Sequence, residues 1–366
     1  MFRCDACGRE YPFETLIWRC VCGSPLEWRP EPPLRCSRAE IDRGDASLWR
    51  YAAALPVSKA ERQAFLGEGW TPLLAGPEPE LLLKCDFLCP TGSFKDRGSS
   101  MLMNYLARQG VTAALEDSSG NAGSSIAAYG TAAGITCEVY VPASASGAKL
   151  AQIEAYGATL VTVPGSRQAV TDAALQRSQE LFYASHNWHP LFLAGTRTLG
   201  FELWEQLGFQ APDAVVTPVG AGSTLLGCWR AFNELAVSEP GTRMPRLYAA
   251  QPAACAPLVA ALAADEVDPS GVEPGETRAE GTKIGRPIRG RELLRALRES
   301  GGRAQAVPEA AIAAAQTRLG RQGLFVEPTG ALAYAAALAL RAAGEIRTGE
   351  RVAVVLTGNG LKSPES

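Results

Sequence analysis

Histidine is nearly absent from this sequence, and its scarcity narrows the chemistry open to the chain. Only two of the 366 residues are histidines, His186 and His189. Proteins use histidine more often than any other side chain as a general base near neutral pH. Chemistry built on such a base therefore has few places in this chain.

The chain also lacks the segments that mark membrane, exported and nucleic-acid-binding proteins. Its longest apolar stretch, 330–340, ends at Arg341 and is too short to span a bilayer. The N-terminus, Met1-Phe2-Arg3-Cys4, has no apolar signal core, so we expect a cytoplasmic protein. The net charge of −3 comes without a concentrated basic segment. We therefore expect neither a membrane nor a nucleic acid among its partners.

The composition that remains is that of a folded, multidomain chain. An apolar fraction of 46% is enough for a sizeable core, and 20% charged residues exclude a disordered chain. The length of 366 residues predicts about two domains and an appendage. Ten cysteines in a chain of this size without an export signal are interpreted as thiols or metal ligands rather than disulfides.

Four of the cysteines form two pairs near the N-terminus, Cys4 with Cys7 and Cys20 with Cys22, and each pair precedes a glycine. This pattern predicts a zinc ribbon, a closed structural site that lets a small segment fold. The second pair is C-x-C, which strains the geometry, and metal-free thiols are the alternative. The remaining cysteines show no ligand spacing and are predicted to fill cores: Cys36, Cys85, Cys89, Cys137, Cys228 and Cys255.

From residue 113 the chain alternates strand-like and helix-like segments, the pattern of a parallel sheet. The predicted strands are 81–84, 114–117, 137–141, 159–163, 214–217, 247–252 and 351–356. The predicted helices are 99–106, 125–133, 147–156, 167–183, 199–207, 225–235, 309–322 and 330–343, with a helical connector at 49–66.

The stretch Pro90-Thr91-Gly92-Ser93-Phe94-Lys95-Asp96-Arg97-Gly98 places one lysine among small residues, a ring and an Asp/Arg pair. A half-buried amine beside a second cation titrates below its usual value. Arg97 would thus help to keep Lys95 neutral and nucleophilic, whereas Asp96 would act in the opposite direction. A lysine at a helix start is more often a surface residue, so the interpretation depends on the rest of the chain.

Three further features follow predicted strands, where open α/β sheets place ligands. Ser118–Ser124 is a helix start with free N–H groups and an amide side chain, Gly220–Thr224 has two glycines followed by hydroxyls, and Thr357 precedes Gly-Asn-Gly. The glycine stretch by itself is also compatible with a plain turn. An amine, a phosphate cradle, an amide and a hydroxyl are together what pyridoxal phosphate requires.

The lysine stretch, Ser118–Ser124 and Thr357–Lys362 resemble the signatures of threonine synthases, within the tryptophan-synthase-β-like (fold type II) pyridoxal-phosphate enzymes. The resemblance covers residues 69–362, and the cysteine-bearing start is similar to that of many threonine-synthase-type sequences. It implies an α/β fold of two domains with parallel-rich twisted sheets flanked by helices, and a homodimer. The implied division is 1–30 for the zinc-ribbon-like module, 31–68 for a connector, 69–107 with 184–366 for a large cofactor domain, and 108–183 for a small α/β domain.

The resemblance also implies roles for individual residues. Lys95 would hold the cofactor in a Schiff base and shuttle the α-proton. The other implied cofactor contacts are Phe94 beside the ring, Asn121 at the phenolic oxygen, Thr357 at the pyridine nitrogen, and Gly220, Ala221, Gly222, Ser223 and Thr224 at the phosphate. Ser118, Ser119 and Ala122 would face the substrate carboxylate, with Thr282 and Glu327 near the substrate. A hydroxyl at the ring nitrogen favours elimination or replacement over transamination.

The sequence departs from the threonine synthases at two positions. Phe192 stands where an arginine for the substrate phosphate is expected, and a phenyl ring cannot replace that charge-assisted contact. Ala122 replaces a threonine. Arg197, Asn187 and His189 are the candidates for compensation, although His189 is also interpretable as a packed, solvent-facing imidazole.

The leading hypothesis is therefore a lyase of threonine-synthase type, which converts O-phospho-L-homoserine and water to L-threonine and phosphate. Phe192 motivates the alternative of a threonine/serine dehydratase or a β-replacement enzyme on a related, unphosphorylated amino acid. Two non-enzymatic alternatives are a binding protein that keeps the fold and an interaction role for the zinc-ribbon segment alone.

Overall fold

The structure is a computed structural model that describes residues 1–145 and 147–363. Its strands are β1 (Phe2–Arg3), β2 (Glu10–Tyr11), β3 (Glu27–Trp28), β4 (Leu73–Ala75), β5 (Leu81–Lys84), β6 (Ala113–Glu116), β7 (Thr136–Pro142), β8 (Thr159–Val163), β9 (Phe182–Tyr183), β10 (Ala214–Pro218), β11 (Arg246–Pro252), β12 (Arg303–Val307) and β13 (Val352–Val355).

The α-helices are α1 (Lys95–Arg108), α2 (Asn121–Ala132), α3 (Ala148–Ala155), α4 (Arg167–Arg177), α5 (Pro190–Thr196), α6 (Thr198–Gln206), α7 (Ser223–Ser238), α8 (Pro257–Ala263), α9 (Gly290–Ser300), α10 (Glu309–Gly320) and α11 (Pro328–Ala342). Short 3₁₀ helices occupy Leu48–Ala54, Lys59–Glu61, Asp86–Leu88, Glu280–Thr282 and Gly360–Lys362. Within the described residues, no helix is both long enough and apolar enough to cross a bilayer.

The chain forms two compact units, and their boundaries differ from the predicted domains. Unit 1 consists of Met1–Gly69 and Cys89–Thr196, and unit 2 of Trp70–Leu88 and Arg197–Ser366. Residues 89–107 and 184–196, predicted for the large domain, pack in unit 1 because α1 lies against both α2 and α5. Residue 146 and residues 364–366 of the predicted domains lie outside the described residues.

Unit 1 contains two sheets. The N-terminal module is a small antiparallel sheet in the order β2-β1-β3, and the second sheet is parallel, in the order β8-β7-β6-β9. The predicted strands 137–141 and 159–163 are confirmed by β7 and β8. The predicted helix 167–183 was too long: α4 ends at Arg177, and Phe182 and Tyr183 instead pair with β6. A pattern of side chains along a helix does not reveal this pairing, because a two-residue strand has almost no periodicity.

Helices α1 and α5 approach each other at two glycines. A Cβ on Gly195 would lie 1.9 Å from the carbonyl oxygen of Arg97, and one on Gly98 would lie 2.5 Å from the ring of Phe192. Only glycine permits an approach this close. The contact places Phe192 directly against the helix that begins with Lys95, so the aromatic residue is part of the packing of α1.

The segment predicted as a helical connector, 49–66, is only partly helical: two short 3₁₀ helices cover half of it and the rest is irregular. It is held by a buried carboxylate rather than by a continuous helix. Glu68 accepts hydrogen bonds from Trp49 Nε1 at 2.8 Å, Ser100 Oγ at 2.5 Å and Tyr129 OH at 3.0 Å. The carboxylate therefore ties the connector to α1 and α2.

Unit 2 is built on a six-stranded sheet in the order β12-β11-β10-β13-β5-β4, parallel except for β4. The predicted strands 81–84, 214–217, 247–252 and 351–356 are confirmed. Strand β12 and helices α8 and α9 were not predicted. Most residues of β12 are half-buried, which follows from its position at the sheet edge and explains its weak apolar signal.

Candidate active site

Lys95 is the first residue of α1 and is half-buried. Its Nζ lies 4.5 Å from the centroid of the Phe94 ring and 5.8 Å from that of Phe192. Two aromatic rings therefore flank the amine. Such surroundings lower the local polarity around Nζ, which favours a reactive amine over a fully solvated one.

The turn before Lys95 is fixed by the next residue, Asp96. The Asp96 carboxylate accepts hydrogen bonds from Thr91 N at 2.7 Å and Thr91 Oγ1 at 2.5 Å. Ser125 Oγ of α2 donates to the same carboxylate at 2.7 Å. The sequence predicted Asp96 only as an electrostatic neighbour of Lys95. In the structure Asp96, which belongs to α1, also joins the turn to α2.

The loop after β6 carries the serines and the amide predicted for the site. Ser118, Ser119 and Asn121 are half-buried, whereas Ala122 is 2% exposed. The loop is compact, because a Cβ on Gly123 would lie 1.9 Å from the carbonyl oxygen of Ser118. Asn121 and Ala122 open α2, whose first-turn N–H groups have no partners within the helix.

A buried acid–histidine pair lies at the carboxyl ends of β6 and β9, and the sequence analysis missed it. Glu116 Oε1 is 3.0 Å from His186 Nδ1, and the backbone N–H of His186 donates to Glu116 Oε2 at 3.2 Å. Burial raises the pKa of Glu116 to about 7. Burial and, next, the positive charge of Lys95 hold the pKa of His186 well below its usual value. The imidazole is therefore neutral at pH 7.

Asp117 extends this cluster. Its carboxylate accepts hydrogen bonds from Arg167 at 2.8 Å and Thr171 Oγ1 at 2.9 Å. Burial raises the pKa of Asp117, with the neighbouring Glu116 as the second cause, and Arg167 opposes both. A signal for the cluster was present in the adjacent acids at the end of a predicted strand, but the sequence could not show which residue pairs with them.

The glycine stretch in unit 2 has the shape of a cradle. A Cβ on Gly220 would lie 2.7 Å from the carbonyl oxygen of Gly281 and 3.0 Å from Cα of Thr282. Gly222 has a φ of +85°, and a side chain there would also meet Leu293. Ser223 and Thr224 then open α7, so hydroxyls and first-turn N–H groups come together. Thr282 Oγ1 donates to Ala279 O at 2.7 Å.

Thr357 follows β13 and is 2% exposed. Its Oγ1 is buried and has no hydrogen-bond partner within the part of the chain that the structure describes. A buried hydroxyl without a partner is costly in a folded protein, so it marks a place where a ligand acceptor or donor completes the bonding. Glu327, also predicted near the substrate, donates its backbone N–H to Gly358 O at 2.9 Å.

Two of the residues proposed to compensate for Phe192 have other partners. Arg197 forms an ion pair with Glu234 at 2.5 Å. His189 is 1% exposed and packs against the rings of Phe2, Tyr105 and Phe182. It is therefore packed as expected but faces the core rather than solvent. Its Nδ1 accepts a hydrogen bond from Leu191 N at 3.3 Å.

The four N-terminal cysteines meet at one point. The sulfur atoms of Cys4, Cys7, Cys20 and Cys22 all lie within 4.8 Å of one another, with Cys4–Cys22 and Cys7–Cys20 separations of 3.5 Å. The C-x-C spacing thus does not prevent convergence. Four thiol ligands in one cluster match a structural zinc site. The cysteines predicted as core residues are buried, as expected: Cys36, Cys85, Cys89, Cys137, Cys228 and Cys255.

A model of the family described as "Pyridoxal-phosphate dependent enzyme" matches residues 64–358. The chain belongs to this family. The match contains the lysine turn, the serine loop, the glycine cradle and Thr357. The family membership confirms the α/β fold type II assignment and the prediction that the chain is a pyridoxal-phosphate-dependent enzyme.

The chain is similar to two threonine synthases in sequence and to a threonine deaminase in structure. The chain is 33% identical to a threonine synthase from Methanocaldococcus jannaschii, over all of this chain and 93% of that protein. It is 31% identical to a threonine synthase from Methanosarcina acetivorans, over all of this chain and 92% of that protein. A crystal structure of threonine deaminase from T.th. superposes with a TM-score of 0.66 at 30% identity, covering 79% of this chain and 92% of that one.

The residues of the chain fit the family's cofactor on three structural observations. Lys95 offers an amine between aromatic rings, Gly220 and Gly222 leave a cradle that side chains would fill, and Thr357 offers a hydroxyl without a partner among the described residues. An amine, a phosphate cradle and a hydroxyl are the groups that pyridoxal phosphate requires of a protein.

Proposed function

We propose that this chain is a lyase of threonine-synthase type that converts O-phospho-L-homoserine and water to L-threonine and phosphate. The observation that carries the proposal is the extent of the match to threonine synthases. Two threonine synthases match over the whole chain at 31–33% identity. The threonine deaminase structure at 30% identity covers 79% of the chain, and one that covers 91% is only 21% identical. The alignments with these two threonine synthases include the N-terminal module of unit 1.

In this proposal Lys95 anchors the cofactor and moves the α-proton of the substrate. Phe94 lies beside the cofactor ring, and Asn121 donates to its phenolic oxygen. The cradle residues hold its phosphate: Gly220, Ala221, Gly222, Ser223 and Thr224. When bound, the cofactor withdraws electrons from the α-carbon of an amino acid. Thr357 offers the ring nitrogen a neutral hydroxyl.

The same proposal assigns the substrate carboxylate to the start of α2. Ser118 and Ser119 supply hydroxyls there, and Ala122 supplies a backbone N–H in the first turn, where the helix dipole favours an anion. Thr282 borders the glycine cradle, since its Cα is 3.0 Å from the position of a Cβ on Gly220, and the proposal assigns it to the substrate. Its hydroxyl already donates to Ala279, so its methyl and backbone are the groups available.

The decisive experiment supplies purified, cofactor-loaded protein with O-phospho-L-homoserine. We expect release of inorganic phosphate and formation of L-threonine in equal amounts. Threonine and serine serve as parallel substrates, because a dehydratase releases a ketoacid and ammonia from them. Ketoacid release without phosphate release would replace the leading proposal by the second candidate. That candidate is supported by Phe192 in place of an arginine and by the similarity to threonine deaminase.

We further propose that Cys4, Cys7, Cys20 and Cys22 hold a structural zinc ion. We expect metal analysis of the full chain to find about one zinc per chain. The Cys22→Ser variant is expected to lose the metal and to lower the stability of the N-terminal module. Cys36→Ser is the matched control, because Cys36 is a buried cysteine outside the cluster and should leave the zinc content unchanged. A full zinc content in Cys22→Ser would contradict this assignment.

A homodimer and a cytoplasmic location remain predictions. The resemblance to threonine synthases supports the first. Sedimentation of the purified chain tests the oligomeric state, and the expected species has about twice the monomer mass of 38.7 kDa. Fractionation of the cells that produce the protein tests the location.

A further inference from the structure

The pair of Glu116 and His186 has no role in the proposed function, although the charge of Lys95, on which that function depends, acts on His186. Glu116 is 0% exposed, and it binds both the ring and the backbone of His186. Two contacts from one carboxylate fix the orientation of the imidazole plane. Burying a carboxyl group lowers the stability of a protein, so we expect this carboxyl group to have a function.

The ring nitrogens of His186 differ in their surroundings. Nδ1 is occupied by Glu116 at 3.0 Å. No described residue forms a hydrogen bond with Nε2, and the side chain keeps 10% of its surface exposed. Above about pH 7, where Glu116 is ionised, its carboxylate can only accept a hydrogen bond from Nδ1–H, so the hydrogen lies on Nδ1 and Nε2 carries a lone pair. Nε2 is therefore the nitrogen that can accept a proton.

The imidazole and the reactive amine share a neighbour, the ring of Phe192. The centroids of the His186 and Phe192 rings are 5.9 Å apart, and Lys95 Nζ lies 5.8 Å from the Phe192 centroid. Histidine and lysine thus flank the same phenyl ring, at the position where an arginine for a phosphate was expected. A neutral imidazole and a phenyl ring offer no charge to a dianion, but they provide a base next to an apolar surface that limits competing water.

We propose that His186 is a catalytic residue that takes the proton from the water added to the substrate, and that Glu116 is the positioning residue that directs its Nε2. This inference rests on the proposed function, in which water is added to the substrate. It distinguishes the two roles within the pair: His186 would contact the reacting water, and Glu116 would act through the imidazole.

The proton transfers balance without another reactant. As water adds across a carbon–carbon double bond of the substrate, its O–H bond breaks, Nε2 binds the released proton, and the oxygen electron pair forms the new bond to carbon. The π pair of the double bond moves to the neighbouring α-carbon, which receives its proton from Lys95. The hydrogen on Nδ1 moves to Glu116 Oε1, which leaves a neutral imidazole and a neutral carboxyl. Nε2 then releases its proton to solvent and the carboxyl returns its hydrogen to Nδ1, which restores the ionised carboxylate and the lone pair on Nε2 before the next turnover. No oxidation or reduction is involved.

The pair predicts a pH dependence with a definite sign. Below about pH 7 Glu116 is protonated and donates to Nδ1, so Nε2 carries the hydrogen and cannot act as a base. Above that pH the carboxylate accepts from Nδ1–H and Nε2 is free to accept, so the rate should rise with pH through about 7. The charged groups that face the pair from the surrounding elements are Asp117, Lys95 and Arg167.

The test measures kcat and KM for phosphate release as a function of pH in cofactor-loaded wild type, His186→Asn and Glu116→Gln. We expect His186→Asn to lower kcat by about 10²-fold or more with little change in KM. Glu116→Gln should lower kcat less and should abolish the rise near pH 7, because an amide does not titrate there. Glu138→Gln is the matched control, since Glu138 lies on the adjacent strand β7 and pairs with Arg177.

A second measurement needs no variant. The chain has two histidines, and His189 Nδ1 accepts from a backbone N–H, so His189 should carry its hydrogen on Nε2. Nitrogen NMR at about pH 8, above the Glu116 transition, should therefore show one Nδ1–H and one Nε2–H imidazole. An imidazolium, or two Nε2–H rings, would overturn the inference. So would a folded His186→Asn protein that keeps wild-type kcat and pH profile. Wild type without phosphate release would instead overturn the proposed function and the inference together.

Discussion

Replacing Lys95 by alanine is expected to abolish turnover and covalent retention of the cofactor. The side chain is half-buried at the first position of α1, and its amine is the group placed between the rings of Phe94 and Phe192. The turn that carries this amine is fixed by Asp96, which accepts hydrogen bonds from Thr91 and from Ser125 of α2. We expect a loss of at least about 10³-fold in kcat.

The measurement combines activity with a chemical label. Borohydride reduction of the wild type should attach the cofactor to the peptide that contains Lys95, and the visible absorbance of the bound cofactor should be absent from Lys95→Ala. Lys59→Ala is the control, because Lys59 is a lysine of unit 1 that pairs with Asp42 and Asp45. A label on another lysine, or a normal cofactor spectrum in Lys95→Ala, would refute the functional assignment.

The largest effect on stability is expected from Glu202→Gln in unit 2. Lys84 Nζ donates to Glu202 Oε2 at 2.7 Å, to Thr71 O at 2.7 Å and to Gln206 Oε1 at 2.9 Å, and both charged side chains are fully buried. The variant keeps an amide oxygen but leaves the ammonium without its counter-ion. Removing one partner of a buried pair costs about 3–5 kcal/mol in the free energy of unfolding.

Urea denaturation of three variants, each compared with wild type, separates the effect of the buried charge on stability from the effect of packing. Glu299→Gln removes one partner of an exposed pair with Arg295, so we expect a change below about 1 kcal/mol. Combining Lys84→Met with Glu202→Gln removes both charges, and we expect it to recover part of the lost stability because no uncompensated ion stays buried. If Glu202→Gln were as mild as Glu299→Gln, the buried pair would not be a major contribution to the stability of unit 2.

Local signals predicted most of the secondary structure. Strand 159–163 is present with the predicted bounds because its β-branched residues are bounded by turn residues on both sides. The connector 49–66 is only partly helical, because it is held by a buried carboxylate, Glu68, which joins Trp49 of the connector to Ser100 of α1 and Tyr129 of α2. Strand β9 was missed because two residues are too few for a periodic pattern.

The residues of the candidate site likewise fall into those that a local motif predicted and those that only the fold brought together. The lysine turn, the glycine cradle and Thr357 were predictable, because each requires particular residue types at short spacing and so leaves a local motif. The pair of Glu116 and His186 left no such motif in the sequence. Its members are separated by 70 residues in the sequence and are brought together only where β9 pairs with β6. Likewise, the chemical role of Phe192 became interpretable only once its contact with Gly98 was known.

The order of amino acids alone determined the family, the cofactor expected and the amine that binds it, since covalent chemistry and backbone conformation restrict which residues can occupy a few consecutive positions. Strand pairing and helix contact decided which carboxyl orients the imidazole, which ion pair is sealed from water, and which cysteine sulfurs converge. Those outcomes depend on distances between residues far apart along the chain, and such distances exist only in the folded molecule.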